Sequence, residues 1–164
     1  MPLWSSSEKT QIKNKVPLVK ATFGAGCYWK LELYFQQTFG VCETRVGFAK
    51  GKTTNPRLKK KVEVVEVLYD PRKVSYETLL TAFWDYHDAT IRQSPEHRSV
   101  ILGHNTQQVN AALASKVKYH WPEYQFVQTE ISLFRSFSPS LFYHQQYFRK
   151  RLSIDKQYPI SKEY

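Results

Sequence analysis

The order strand, helix, strand, strand, helix, strand along residues 18–102 predicts an α+β fold in the split βαβ, or ferredoxin-like, arrangement. That is a two-layer sandwich, a mostly antiparallel sheet with its helices on one face. Two further observations support it. The hydrophobic runs are short and punctuated by glycine and proline, as strands and turns require. The 164 residues, 41% hydrophobic and 15% aromatic, suffice for one packed core, and they show no internal repeat.

Leu18 to Phe23 is predicted as the first strand, with Pro17 before it, where a missing N–H is tolerated. Trp29 to Gln37 follows as a helix with Trp29, Leu33 and Phe35 or Gln36 inward, and Gly40 ends it. Val41 to Phe48 alternates as a second strand, Val41 and Glu43 facing one way and Cys42, Thr44 and Val46 the other. Residues 49–58 hold Gly51, Asn55 and Pro56 and are predicted as a loop. The run Val62-Glu63-Val64-Val65-Glu66-Val67-Leu68-Tyr69 is the strongest strand signal, closed by Asp70-Pro71. Ser75 caps a helix from Tyr76 to Tyr86. Beyond a loop over 87–97 come a short strand, Arg98 to Leu102, and a helix, Thr106 to His120, stopped before Pro122. Phe126 to Leu133 is predicted as a fifth strand and Phe142 to Arg151 as a last helix. Residues 1–16 are expected to form a flexible arm, 17–152 a single domain and 153–164 a loose tail.

No apolar run is long enough to span a bilayer, and the N-terminus lacks the basic start and apolar stretch of a secretion signal. Two cysteines make no disulfide framework, so a reducing, cytoplasmic setting and a monomer are expected. The net charge of +10 has two readings, a solvated basic surface that favours acidic partners or a nucleic-acid face. The clusters Lys59-Lys60-Lys61 and Arg149-Lys150-Arg151 do not alternate with aromatic residues as stacking platforms do, so no nucleic acid is expected. The cysteines and five histidines lack metal-ligand spacing, and no metal is expected.

Cys27 lies in Thr22-Phe23-Gly24-Ala25-Gly26-Cys27-Tyr28-Trp29, where an apolar strand breaks on two glycines and a helix begins. Unpaired N–H groups at a helix start stabilise a thiolate, which is the nucleophilic form of cysteine. A small core residue at a tight turn is the other reading of the same position. Tyr28 and Trp29 could wall an apolar pocket against the sulfur, or simply belong to the core.

Gly26-Cys27-Tyr28-Trp29 resembles the Gly-Cys-Phe-Trp signature of the A-type peptide methionine sulfoxide reductases. Other segments follow in the family's order. Thr44-Arg45-Val46-Gly47-Phe48-Ala49 resembles its Thr-x-Val-Gly-Tyr-Ala, and Glu63-Val64-Val65-Glu66-Val67 with Tyr69-Asp70-Pro71 its Glu-Val-Val-x-Val and Tyr-Asp-Pro. Phe83-Trp84-Asp85-Tyr86-His87-Asp88, Arg98-Ser99 and Tyr143-His144-Gln145-Gln146-Tyr147 complete a match over about residues 18–150.

The resemblance implies that the Cys27 thiolate attacks the sulfur of a free or protein-bound methionine S-sulfoxide and is left as a sulfenic acid. Glu63 matches the glutamate that shares a proton with the sulfoxide oxygen; without the resemblance it reads as the solvent side of an alternating strand. Tyr28 and Trp29 would hold the S-methyl group, Tyr28 replacing the family's Phe and bringing a hydroxyl that needs a partner. No bound cofactor is implied, only a thiol reductant: thioredoxin, glutaredoxin or dithiothreitol.

Departures from the pattern touch the site. Lys30 stands for the signature's next glycine, Leu58 for a tyrosine donor and Lys61 for a histidine. His97 takes the place of a second tyrosine and is a candidate donor, and a missing aspartate has only Glu96 near its position. Ser138-Pro139 replaces Tyr-Pro, and Leu141-Phe142 an acidic pair. The tail carries no cysteine, and Cys42 reads as a structural strand residue. A catalytically weak relative that binds methionine-containing peptides is therefore the alternative expectation.

Overall fold

The computed structural model describes residues 17–141, with residues 144, 145 and 147. The elements are β1 (Val19–Gly24), α1 (Tyr28–Gln36), β2 (Val41–Gly51), β3 (Val62–Tyr69), α2 (Tyr76–Tyr86), β4 (Val100–Gly103), α3 (Thr106–His120) and β5 (Glu130–Pro139). Short 3-10 turns occupy Pro56–Lys59, Pro95–His97 and Tyr124–Phe126. The expected arm, the tail and most of the last helix lie outside the described residues.

The strands form one closed barrel in the order β1-β3-β2-β5-β4, with β4 returning to β1. The expected ferredoxin-like sandwich is thus wrong. β4, β1, β3 and β2 do lie side by side and pair antiparallel. But β5 runs antiparallel to β2 and parallel to β4, joining the two edges that a sandwich leaves open. Closure satisfies backbone groups that an open edge would expose.

Two features hidden in the hydrophobic pattern permit it. β2 continues through the predicted loop to Gly51, with a register irregularity between Lys50 and Gly51 that bends the strand. A Cβ at Gly47 would fall on the Ser138 carbonyl of β5, a backbone contact that cannot give, so the approach needs glycine. β5 also begins later than predicted, because Phe126 is exposed in a turn. The strand starts where Glu130 N–H donates to Ser99 O at 3.0 Å and the Glu130 carboxylate accepts from Arg98 Nε at 3.1 Å.

The apolar residues fall into two clusters. One lies between the barrel and the helices, with Phe23 stacked on Phe35 and Phe83 at 5.0 and 5.3 Å between centroids. The other comes from strands alone and fills the barrel: Ala49, Val62, Val64, Val100 and Leu102, with Phe134 and Phe137. β3 serves both, and burial on its two faces explains why its sequence is a nearly continuous apolar run.

α1 buries Tyr28, Leu31, Glu32 and Phe35; of the residues expected inward (Trp29, Leu33 and Phe35 or Gln36), Phe35 is the one it buries. The reason is Glu32, which is fully inside and accepts from Thr44 Oγ1 at 2.9 Å, so a polar residue masks the true apolar period. The helix is capped by Gln37, and Gly40 sits in the turn beyond, its carbonyl accepting from Asp70 N–H at 2.9 Å. α2 starts as predicted, with Ser75 Oγ accepting from Thr78 N–H at 3.1 Å. Among the described residues no helix is long and apolar enough to cross a membrane.

Candidate active site

β1 ends on Gly24, where a Cβ would come within 2.6 Å of Glu63 O and 2.7 Å of Val100 Cγ1. The bare backbone lets the end of β1 lie flush against the starts of β3 and β4. Gly26 then takes a left-handed φ of 81°, which costs glycine little, and its N–H donates to His97 O at 3.1 Å. This bend delivers Cys27 to the N-cap of α1 in an extended conformation (φ −63°, ψ 121°). Its carbonyl accepts from Leu31 N–H at 3.3 Å, and its half-buried thiol makes no capping hydrogen bond. The thiol therefore sits where a helix presents N–H groups and a partial positive charge.

The hydrogen bond from Gly26 and the contact at Gly24 bring two predicted residues to the same end of the barrel. His97 Nε2 lies 2.5 Å from Glu63 Oε2. The ring N–H is not well aimed, and that carboxyl oxygen has no aligned donor. The Glu63 side chain is only 14% exposed. Burial raises its pKa above the ordinary carboxylate range, and His97 opposes the rise. Glu63 is thus no solvent-side residue of an alternating strand: β3 has no solvent side, because helices cover one face and the barrel interior takes the other.

The two predicted pocket residues build an aromatic wall. Tyr28 is 4% exposed, with its ring 5.8 Å from Phe48 and 6.1 Å from Trp29. Trp29 stacks on Tyr147 at 4.2 Å and meets His144 edge-on at 5.2 Å. The hydroxyl that Tyr28 carries finds its partners in His144 Nδ1 at 2.8 Å and Ser140 Oγ at 3.0 Å. Gln145 clips this segment to β2, accepting from Val46 N–H and donating to Val46 O, both at 2.7 Å. Tyr28→Phe should lower thermal stability by about 1 kcal/mol, or roughly 2–4 °C in melting temperature, because His144 and Ser140 lose a shared partner. A calorimetric melt of the two proteins checks this.

The departures are placed as follows. Leu58 is in the Pro56–Lys59 turn, its carbonyl accepting from Arg98 at 3.0 Å while its side chain offers no donor. Lys61 and Glu96 are exposed. Cys42 is at a β-bulge, not in regular strand, and its thiol is 3.7 Å from Gly40 O. Burial, then Asp70, pushes its pKa up.

Several residues of this region escape sequence reasoning. Tyr86, within the quoted Phe83–Asp88 segment, has its pKa raised by burial first and then by charge on Cys27. Its phenol is therefore within electrostatic reach of the sulfur and stays protonated. His87 donates or accepts with Ser99 Oγ at 2.7 Å, and burial lowers its pKa. With Ala25, Gly26, His97 and Ser99 it lines a small cavity of about 190 Å³ beside the cysteine loop. The Tyr-His-Gln-Gln-Tyr motif signalled His144, Gln145 and Tyr147, but only folding shows what they touch. Among the described residues no group of three or more His, Cys, Asp or Glu could hold a metal ion.

A half-buried thiol at a helix start, a protonatable buried carboxyl and an aromatic wall suit thiol chemistry on a small apolar sulfur compound. A family model described as "Peptide methionine sulfoxide reductase" matches residues 19–164. The chain is 43% identical over 153 residues to peptide methionine sulfoxide reductase MsrA 1 of Nostoc sp., covering 84% of this chain and 93% of that protein. Among solved structures it resembles methionine sulfoxide reductase A of Corynebacterium diphtheriae, with TM-score 0.72 and 30% identity over 82% of this chain and 76% of the other. The fold is also that of Saccharomyces cerevisiae Mxr1, solved in complex with Trx2, at TM-score 0.63 and 21% identity over 79% and 84% of the two chains. The chain belongs to the peptide methionine sulfoxide reductase family.

Proposed function

We propose that this chain reduces methionine S-sulfoxide, free or in proteins, with Cys27 as nucleophile and Glu63 as the acid. Tyr28 and Trp29 receive the S-methyl group. In the first step the Cys27 thiolate attacks the sulfoxide sulfur while Glu63 gives its proton to the oxygen. The S–O bond breaks, the oxygen passes to Cys27 as a sulfenic acid, and methionine leaves. Two electrons move from the cysteine sulfur to the substrate sulfur. His97, 2.5 Å from the Glu63 carboxyl, positions that acid and supplies a second donor toward the oxygen. Tyr86 offers the phenol that Leu58 does not.

One observation carries the reading. The Glu63 carboxyl, raised by burial, sits at the barrel end where Gly24 and Gly26 deliver the Cys27 thiol. A carboxyl that keeps its proton nearer neutral pH is the group an oxygen leaving from sulfur needs.

Turnover requires a second thiol. It condenses with the sulfenic acid, releasing water and leaving a mixed disulfide, which another thiol then reduces. A thioredoxin-type protein in a reducing, cytoplasmic compartment is the proposed donor, by analogy with the complex of Mxr1 with Trx2. Cys42 is not. Cys27 caps the N-terminus of α1, a helix about 13 Å long, and Cys42 lies in β2 beyond its other end. A disulfide needs Cα atoms within about 7 Å. One turnover without reductant should therefore yield one methionine and a protein heavier by one oxygen on Cys27, as read by intact mass and peptide mapping. A Cys27–Cys42 disulfide would overturn the recycling scheme, and methionine formed without any change at Cys27 would overturn the nucleophile.

A further inference from the structure

The mouth of this site is strongly and one-sidedly basic. The loop from β2 into β3 carries Arg57, Lys59, Lys60 and Lys61 and runs directly into Glu63. Arg57 donates to Gln93 O at 3.4 Å, and Arg98 to Leu58 O at 3.0 Å and Pro95 O at 2.6 Å. These bonds hold that loop beside the one that carries Arg92 and His97. Lys30 is exposed one residue beyond Trp29. The end of β2 adds Lys52, which with Thr53, Thr54 and Arg135 lines a broad hollow of about 690 Å³.

Little offsets this charge. The ion pairs among the described residues are Arg45–Glu66, Arg72–Asp70, His97–Glu63 and Arg98–Glu130. None engages Lys30, Lys52, Arg57, Lys59, Lys60, Lys61 or Arg92. On the acidic side, Asp88 is occupied with the N–H and hydroxyl of Thr90, and Glu96 is the one other exposed carboxylate on these loops. Exposed lysines with no ion pair among the described residues concentrate anionic ligands at the mouth they surround. The spread of these cations over α1 and two loops fits flanking side chains of a peptide better than a single small anion.

We propose that the rim of this site selects methionine sulfoxide carried in acidic peptide segments. The inference rests on the reductase reading above and adds the class of substrate. Lys59, Lys60, Lys61 and Arg92, on the two adjoined loops, pair with Asp or Glu on one side of the oxidised methionine, and Lys30 with those on the other. The sulfoxide itself gains no new contact, so the preference resides in capture and not in chemistry.

The test uses the full chain with dithiothreitol as reductant, so that no macromolecular donor can occupy the rim. Three peptides, each with one methionine S-sulfoxide, differ only in flanks of Asp/Glu, Ser/Gly or Lys; N-acetylmethionine sulfoxide amide serves as the uncharged reference. The acidic peptide should exceed the neutral one in kcat/KM by about 10-fold at low salt, carried by KM, and the lysine peptide should fall below both. At 1 M salt, where the screening length is about 3 Å, the three should converge. The triple variant Lys59→Glu, Lys60→Glu, Lys61→Glu should invert the ranking; the readout is the ratio between peptides in one preparation, so altered overall activity does not confuse it. Equal kcat/KM on all three peptides, or an acidic preference that survives the triple variant, overturns the proposal and leaves the reductase reading standing. Salt-sensitive binding of a polynucleotide with no ranking of the peptides assigns the rim to nucleic acid and also overturns it. Failure to reduce the uncharged reference overturns the reductase reading itself.

Discussion

Cys27→Ser should lose methionine sulfoxide reduction entirely, by a factor on the order of 10⁴ or more, while the protein keeps its fold. The loss is large because the reaction needs a nucleophile that can end as a sulfenic acid, and a serine hydroxyl can neither ionise usefully nor take up the oxygen reversibly. Removing the nucleophile of a catalytic unit costs about as much as removing the whole unit. The fold should survive because the thiol makes no capping hydrogen bond, and the position holds its extended N-cap backbone through Gly26 and the Leu31 amide. Serine is moreover a better N-cap than cysteine, so α1 should be no less stable. Dithiothreitol-supported reduction of N-acetylmethionine sulfoxide amide, with a thermal melt alongside, checks both halves. A melting temperature unchanged or slightly raised together with zero turnover is the expected pair.

Glu63→Gln should lower kcat by 10²–10⁴-fold, the usual contribution of a positioned acid. It should also remove a pH dependence. Burial raises the Glu63 pKa, so its protonated, proton-giving form persists to higher pH than that of an ordinary carboxyl. As pH rises through that raised pKa the acid is lost, and kcat should fall on the alkaline side. Glutamine cannot titrate, so the variant should show a low, flat profile on that side. His97 opposes the rise, which makes its sign testable too: His97→Phe should move the alkaline fall to higher pH, because the buried carboxyl loses its stabilising neighbour. The quantity to measure is kcat against pH for the three proteins. An alkaline limb that persists unchanged in Glu63→Gln would assign the proton to another group, with Tyr86, whose phenol feels charge on Cys27, a candidate.

What the sequence determined by itself about this protein is local. Two glycines followed by Cys27 and an aromatic pair mark a strand-to-helix turn, because backbone freedom and hydrogen-bond capacity are properties of neighbours in the chain. The same holds for Ser75 before α2, and for β3, whose valine run states its burial directly. The collinear motifs added the chemistry that the resemblance implies for such a cysteine. Tertiary structure decided the rest, wherever partners are far apart along the chain. Residue pairing of β5 with β2 and β4 turned an expected sandwich into a barrel, and no hydrophobic period could announce it, since the approach depends on a missing Cβ at Gly47 and a register irregularity at Lys50. The Glu63 carboxyl gained the burial that raises its pKa only when closure placed it beside His97. The Tyr28 hydroxyl, an unexplained addition in the sequence, found its partner 116 residues away in His144. Periodicity reports which side of an element is buried; which residue meets which across the barrel end is fixed by packing, and the role proposed for Cys27 depends on that meeting.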